Sequence, residues 1–143
     1  MAILAVNAGS SSLKFSLHPL LAGEVQASVL TGNIQGLEPD GTPEIGWTFA
    51  GERHAEVLAL DPTKSAFVQA LARLRTLLAS LEGAPAIVAV AHRVVHGGQE
   101  FRQSVLVTDE VLERLSRLNS LAPLHQPHNL EGTRSFRQAF PDL

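Results

Sequence analysis

Residues 2 to 18 constrain the fold more tightly than any other part of this chain. An unbroken apolar run over residues 2–6 is followed by the polar turn Gly9-Ser10-Ser11-Ser12. Leu13, Phe15 and Leu17 then alternate with Lys14, Ser16 and His18. The unbroken run predicts a strand buried on both faces, and the period of two predicts a strand with one wet face. A short turn between two such segments makes an N-terminal hairpin, with the stretch VNAGSSSLKF (residues 6–15) at its bend.

Composition bounds what can be built around that hairpin. With 143 residues, 45% of them hydrophobic, the chain can fill one core, and it reads as one globular unit. Eleven basic residues stand against 14 acidic ones, a net charge of -3 without any block of like charge. That balance is no electrostatic footprint for nucleic acid or an anionic membrane, so a small molecule is the expected partner. The absence of cysteine excludes disulfides, thiolate nucleophiles and thiolate zinc sites. The N-terminal apolar run has no basic flank and turns polar at Asn7, which fits neither a signal peptide nor a membrane span, and the expectation is a cytoplasmic protein.

Further along, a third strand is predicted around Val25 to Leu30. The Gly- and Pro-bearing stretch from Gly32 to Gly46 reads as turns, ahead of a strand over Trp47 to Ala50. A helix is predicted from Asp61-Pro62, with Phe67, Leu71, Leu74, Leu77, Leu78 and Leu81 on one stripe until Gly83 and Pro85 stop it. Ala86 to Ala91 reads as a second buried strand. A second helix is expected near Thr108-Asp109 and a third from about Pro127 to Phe140. Strands first, then helices with a strand between them, point to an α/β sheet rather than a bundle or a sandwich.

Three stretches carry the chemistry. The serine turn opens onto a strand, not a helix, and lacks a Gly-Lys-Ser/Thr signature, so neither a Walker loop nor a dinucleotide fingerprint applies. Successive N–H groups in a tight turn nevertheless make a nest for an anion, with serine hydroxyls as extra donors, Lys14 as a cation and Asn7 at the mouth. Glycine and serine also suit an ordinary turn. The second stretch, VAVAHRVVHGGQEF (residues 88–101), puts His92 and Arg93 at the end of a buried strand. A guanidinium there requires an anion, either a ligand or a carboxylate in a structural ion pair. The third, LAPLHQPHNLEG (residues 121–132), offers His125 in a loop just before a helix. A different reading takes His92 and His96 with His125 and His128 as a metal-binding module, although no cysteine or carboxylate flanks them at metal-site spacing.

VNAGSSSLKF, AHRVVHGG and LAPLHQPHNLEG together, in this order, resemble the N-terminal motifs of the acetate kinase family, and the resemblance runs the length of the chain. It implies an α/β fold, a ribonuclease-H-like domain of the acetate and sugar kinase, Hsp70 and actin superfamily, with a mixed sheet and flanking helices. It implies reversible phosphoryl transfer between ATP and acetate, giving acetyl phosphate and ADP, with magnesium or manganese as cofactor, and a homodimeric intact enzyme. By the same resemblance Asn7 lies near the metal and phosphates, and Ser10, Ser12 and Lys14 lie on the phosphate side. Arg93 would bind acetate and the transferring group, Val95 and Leu124 would wall the methyl pocket, and His125 would be an active-site histidine. Residues 1–143 then correspond to the N-terminal domain, expected to be incomplete. The catalytic aspartate and the adenosine-binding segments of the family lie beyond it, so this stretch alone is expected to be inactive. Kinases for propionate and other short acyl chains share these motifs and remain an alternative.

Overall fold

β1 (Ala2–Ala8) and β2 (Leu13–Leu21) form the expected hairpin, paired antiparallel from Ala2↔Pro19 to Ala8↔Leu13. The computed structural model of the chain describes residues 1–94, 101, 103–121, 123, 126–141 and 143, with His128 described by its backbone alone. β1 does not bury both faces. Ala2, Leu4, Val6 and Ala8 are buried, while Ile3, Ala5 and Asn7 are only half-buried. The described helices that reach the sheet pack on the Leu4 side, which leaves the Asn7 side open among the described residues.

Five more strands follow: β3 (Glu24–Val25), β4 (Leu30–Gln35), β5 (Glu44–Phe49), β6 (Glu52–Val57) and β7 (Ile87–His92). The sheet runs in the order β6-β5-β4-β2-β1-β7, with β3 pairing the far end of β2. β7 is parallel to β1 and the other pairs are antiparallel, so the sheet is mixed.

The middle of the sheet departs from the sequence reading. The strand expected over Val25 to Leu30 is two strands that end and begin at those residues, and the stretch expected as turns supplies most of β4 and the start of β5. Gly32 and Gly46, which look like breakers, lie within these strands. At Gly32 a side chain would collide with the Phe15 ring that packs across β4 from β2. The strand expected to reach Ala50 stops at Phe49, because Ala50 (φ 52) and Gly51 (φ 78) form the left-handed turn into β6. β6 itself, Glu-Arg-His-Ala-Glu-Val, has no apolar alternation to announce it. It is held from outside: His54 stacks on Trp47 at 5.1 Å, and Arg73 lies 5.6 Å above the Trp47 ring and 2.9 Å from Glu56.

Arg73 belongs to α1 (Ala66–Ser80), which starts four residues later than Asp61-Pro62 predicted. Ser65 is the cap, its Oγ accepting from the Val68 N–H at 3.3 Å. Asp61 instead closes a local turn, accepting from the Thr63 N–H at 2.9 Å and the Thr63 hydroxyl at 2.6 Å. These bonds hold its carboxyl below the usual carboxylate range. Ala70, Leu71, Leu74 and Leu77 of α1 bury against Leu4, Leu13, Phe15, Leu17, Ile34 and Ile45. α2 (Asp109–Ser116) begins where expected, with the Thr108 Oγ1 accepting from the Val111 N–H. α3 (Gln126–Ala139) sets Phe136 into the main core and Leu130 into a second cluster with Leu112 and Leu115 of α2.

Candidate functional site

The serine turn is closed by one backbone bond, from the Gly9 N–H to the Ser12 carbonyl at 2.9 Å. That leaves Ser10 and Ser11 at the tip. Among the described residues no backbone carbonyl accepts from either of their N–H groups. Ser10 is exposed and Ser12 half-buried, so hydroxyls flank two free donors. Such an arrangement costs nothing in water and is available to an anion.

Beside the turn the strands deliver a transverse row. Asn7 on β1 is opposite Lys14 on β2, and Lys14 is opposite Asn33 on β4. On the other side of β1, His92 pairs with Val6, and the next residue, Arg93, is fastened by its N–H to the Val6 carbonyl at 3.1 Å. Asn7, Lys14 and Asn33 from three strands, and Arg93 from just past the end of a fourth, therefore come to one end of the sheet. Side chains alternate along a strand, so His92 and Arg93 part company. His92 sits on the helix side, edge-on to Phe136 at 5.3 Å, where burial lowers its pKa to about 4 and keeps the ring neutral at pH 7. Arg93 is exposed, not buried as its position at a strand end predicted, because β7 has no neighbour beyond it among the described residues. No described carboxylate forms an ion pair with Arg93, which removes the support for a structural salt bridge and leaves its fork available.

The helical part of the third sequence stretch is brought to the same place. Asn129, buried in the first turn of α3, donates from Nδ2 to the Ala8 carbonyl at 2.8 Å, one residue before the serine turn. Gly132, one turn on, lets the helix lie directly on β1, since a Cβ there would stand 2.5 Å from that of Ala8. Gln126, fully buried, donates from Nε2 to the Leu115 carbonyl at 3.3 Å and ties the start of α3 to α2. Asn129 and Gln126 belong to the LAPLHQPHNLEG stretch, whose conspicuous residue in the sequence is His125. Their signal was a polar residue on the inward stripe of an amphipathic helix.

A second wall, with no signal in the sequence, adjoins the turn. Gly36 (φ 74) lets residues 36–43 fold back so closely that a side chain there would strike the Thr42 backbone, and the Leu37 N–H donates to the Ser11 carbonyl at 3.0 Å. A polar cavity of about 510 Å³ lies between this loop and the turn, lined by Ser11, Ser12, Lys14, Asn33 and Thr42 and, from the loop, by the carboxylate-bearing Glu38. A larger one, about 790 Å³ and more apolar than polar, lies along β7 between Val94, Phe101, Val111, Phe136 and Phe140, with His92, Thr133 and Arg137 also on its wall. It holds none of the row.

Val95, Leu124 and His125 lie outside the described residues, as do His96 and the side chain of His128, so the histidine module falls mostly outside them too. Among the described residues no group of three His, Cys, Asp or Glu could hold a metal ion. The row offers only neutral amide oxygens, at Asn7 and Asn33, and no carboxylate, so it is no self-standing magnesium site, and it could fit only an ion that keeps its waters and is held mainly by nucleotide phosphates, with Asn7 as one amide ligand. No described helix is long and apolar enough to cross a membrane.

The profile of the Acetokinase family matches residues 2–143. The acetate kinase of Geobacillus kaustophilus is 39% identical over 143 residues, which are 99% of this chain and 34% of that protein. That of Bacillus cereus is 40% identical over 141 residues, with the same coverage. A propionate kinase from Francisella tularensis superimposes with a TM-score of 0.85 at 32% identity, covering 99% of this chain and 35% of its own. The acetate kinase of Porphyromonas gingivalis follows at 0.81 and 29%. The chain thus spans about a third of the length of the relatives it matches. With Arg93 of the second motif and Asn129 of the third both bonded to the strand that leads into the serine turn, and a family match over nearly every residue, the chain belongs to the acetokinase family.

Proposed function

We propose that residues 1–143 form the N-terminal domain of a short-chain acyl kinase and supply its phosphate- and carboxylate-binding wall. The whole protein would transfer the γ-phosphoryl group of ATP to acetate, reversibly, giving acetyl phosphate and ADP in the cytoplasm. The observation that carries this reading is the row of Arg93, Asn7 and Lys14 beside a turn with two unused N–H groups. Phosphoryl transfer asks a protein for little covalent work. It asks for positioning and for charge to meet the equatorial oxygens.

The serine turn and Lys14 would hold phosphate oxygens through N–H, hydroxyl and ammonium donors. Arg93, across Asn7, would hold the acyl carboxylate and one phosphoryl oxygen at once, which a planar fork can do and a point charge cannot. Asn7 would offer its amide oxygen to a hydrated magnesium or manganese ion arriving with the nucleotide. Val95 and Leu124 would bound the acyl chain, and His125 would donate a hydrogen bond to the transferring group. Relatives named both acetate kinase and propionate kinase leave acyl length as the finer question, and a difference of one methylene is worth only about 1–3 kcal/mol. Catalysis would need the rest of the protein, and assembly as a homodimer would rest on surfaces outside this domain.

The test is acyl phosphate formation by the full-length enzyme with acetate, propionate and butyrate. Acetate preferred by kcat/KM, with Val95→Ala moving the ratio toward the longer acids, supports the reading. No ATP-dependent acyl phosphate with any of the three acids contradicts it.

A further inference from the structure

Asn33, the fourth residue of the row, is flanked unequally. On β5 its partner is Gly46, which has no side chain, and on β2 its partner is Lys14. Its Nδ2 donates weakly to Gln35 Oε1 at 3.4 Å, and its Oδ1 is buried without any donor. A buried acceptor in that state has lost water and gained nothing, so native proteins rarely keep one without a use. Directly opposite residues of an antiparallel pair have Cβ atoms about 4.5–5.5 Å apart. The Lys14 ammonium carries three N–H donors, and among the described residues it makes no ion pair or hydrogen bond. The orphaned acceptor and the unengaged cation therefore belong to directly paired residues that both line the polar cavity adjoining the serine turn.

We infer that Asn33 is a positioning residue for Lys14: when an anion occupies the serine turn, its Oδ1 takes one N–H of the ammonium and holds the cation over the anion instead of in solvent. This rests on the anion-binding reading of the turn. A neutral amide suits the task because it fixes the ammonium without cancelling its charge. An aspartate at the same place would accept the bond more strongly and neutralise the cation that the anion needs. Asn33 touches no reacting atom in this account and acts through Lys14 alone.

The experiment is a titration of the isotopically labelled chain with inorganic phosphate, read by amide shifts at Gly9 to Ser12 and by carbon relaxation at the Lys14 ε-methylene. The proteins are wild type, Asn33→Ala, Asn33→Asp, Lys14→Met and the Lys14→Met/Asn33→Ala double variant. Wild-type Lys14 should stiffen on saturation, and Asn33→Ala should abolish the stiffening and weaken binding several-fold. Asn33→Asp, nearly isosteric, should weaken it further, and the double variant should bind no worse than Lys14→Met. Equal affinity in wild type and Asn33→Asp, or an Asn33→Ala loss that persists without Lys14, overturns the inference while the reading of the turn stands. An absence of phosphate shifts in the wild type overturns both. A change confined to melting temperature would mark Asn33 as merely structural and overturn the inference.

Discussion

Asn129 Nδ2 lies 2.8 Å from the Ala8 carbonyl oxygen, a buried bond that joins residues 121 positions apart and fixes the start of α3 to the end of β1. It locks the third motif onto the first. Through it, the first turn of α3 is tethered one residue from the serine turn by a side chain outside the row.

Asn129→Ala should therefore do two things. Leaving the Ala8 carbonyl buried and unsatisfied should cost about 1–3 kcal/mol of stability. The amide resonances of Gly9 to Ser12 should also shift without ligand. Denaturant unfolding and an amide spectrum check both, and an unchanged turn in a destabilised variant would confine Asn129 to the core.

Gly132→Ala adds one methyl group where β1 and α3 touch, against the Ala8 side chain. Neither backbone can yield cheaply, and overpacking of this kind costs about 1–3 kcal/mol. The same substitution at Gly23, where a Cβ meets nothing but φ is 79, is strained for a different reason, so Gly46→Ala is the fairer control. It should cost less, and a smaller loss at Gly132 than at Gly46 would mean that α3 does not press on β1.

His92 makes stability depend on pH in a stated direction. Its pKa falls from the ordinary 6.5 to about 4 in the fold, through burial. Between those values the unfolded chain binds the proton and the folded chain does not, so stability is full above about pH 6.5 and is lost as pH falls toward 4, by about 1.4 kcal/mol per pH unit. Chemical unfolding of wild type and His92→Leu across that window should show the slope reduced in the variant. Identical slopes would show that His92 is not neutral inside.

The fold was legible wherever a segment's own residues carry the signal for it. The hairpin, α2, α3 and β7 announce themselves through apolar period and caps such as Thr108. β4 and β6 did not, because their reasons lie elsewhere in the chain: Phe15 fills the space at Gly32, and Arg73 with Trp47 holds the charged edge. Asp61-Pro62 looked like a helix start because a capping carboxylate and a turn carboxylate use the same bond, and only the position of Ser65 decides between them. In the site, Ser10, Ser12, Lys14 and Arg93 could be singled out because polar and cationic residues next to apolar strands are conspicuous. Asn33 and the loop over residues 36–43 could not, since strand register and a left-handed Gly36 bring them there.

Arg93→Lys in the full-length enzyme keeps the charge and loses the fork. If Arg93 meets both carboxylate and phosphoryl oxygen, turnover should fall by about 10²-fold, comparable to removing one preplaced donor from a developing oxyanion. Steady-state kinetics with acetate decide the matter, and near-normal kcat in the lysine variant would take Arg93 out of the site.

The central claim is that the serine turn, with Lys14 beside it, receives an anion. Phosphate added to the labelled 143-residue chain should move the amide signals of Gly9, Ser10, Ser11 and Ser12. Affinity should fall as ionic strength rises from about 0.01 M to about 0.1 M, which shortens the Debye length from about 30 Å to about 10 Å. Lys14→Met should weaken the response at the lower salt and flatten its salt dependence. Turn amides that stay still at every phosphate concentration, in low salt as in high, would contradict the account and make Gly9 to Ser12 an ordinary hairpin bend.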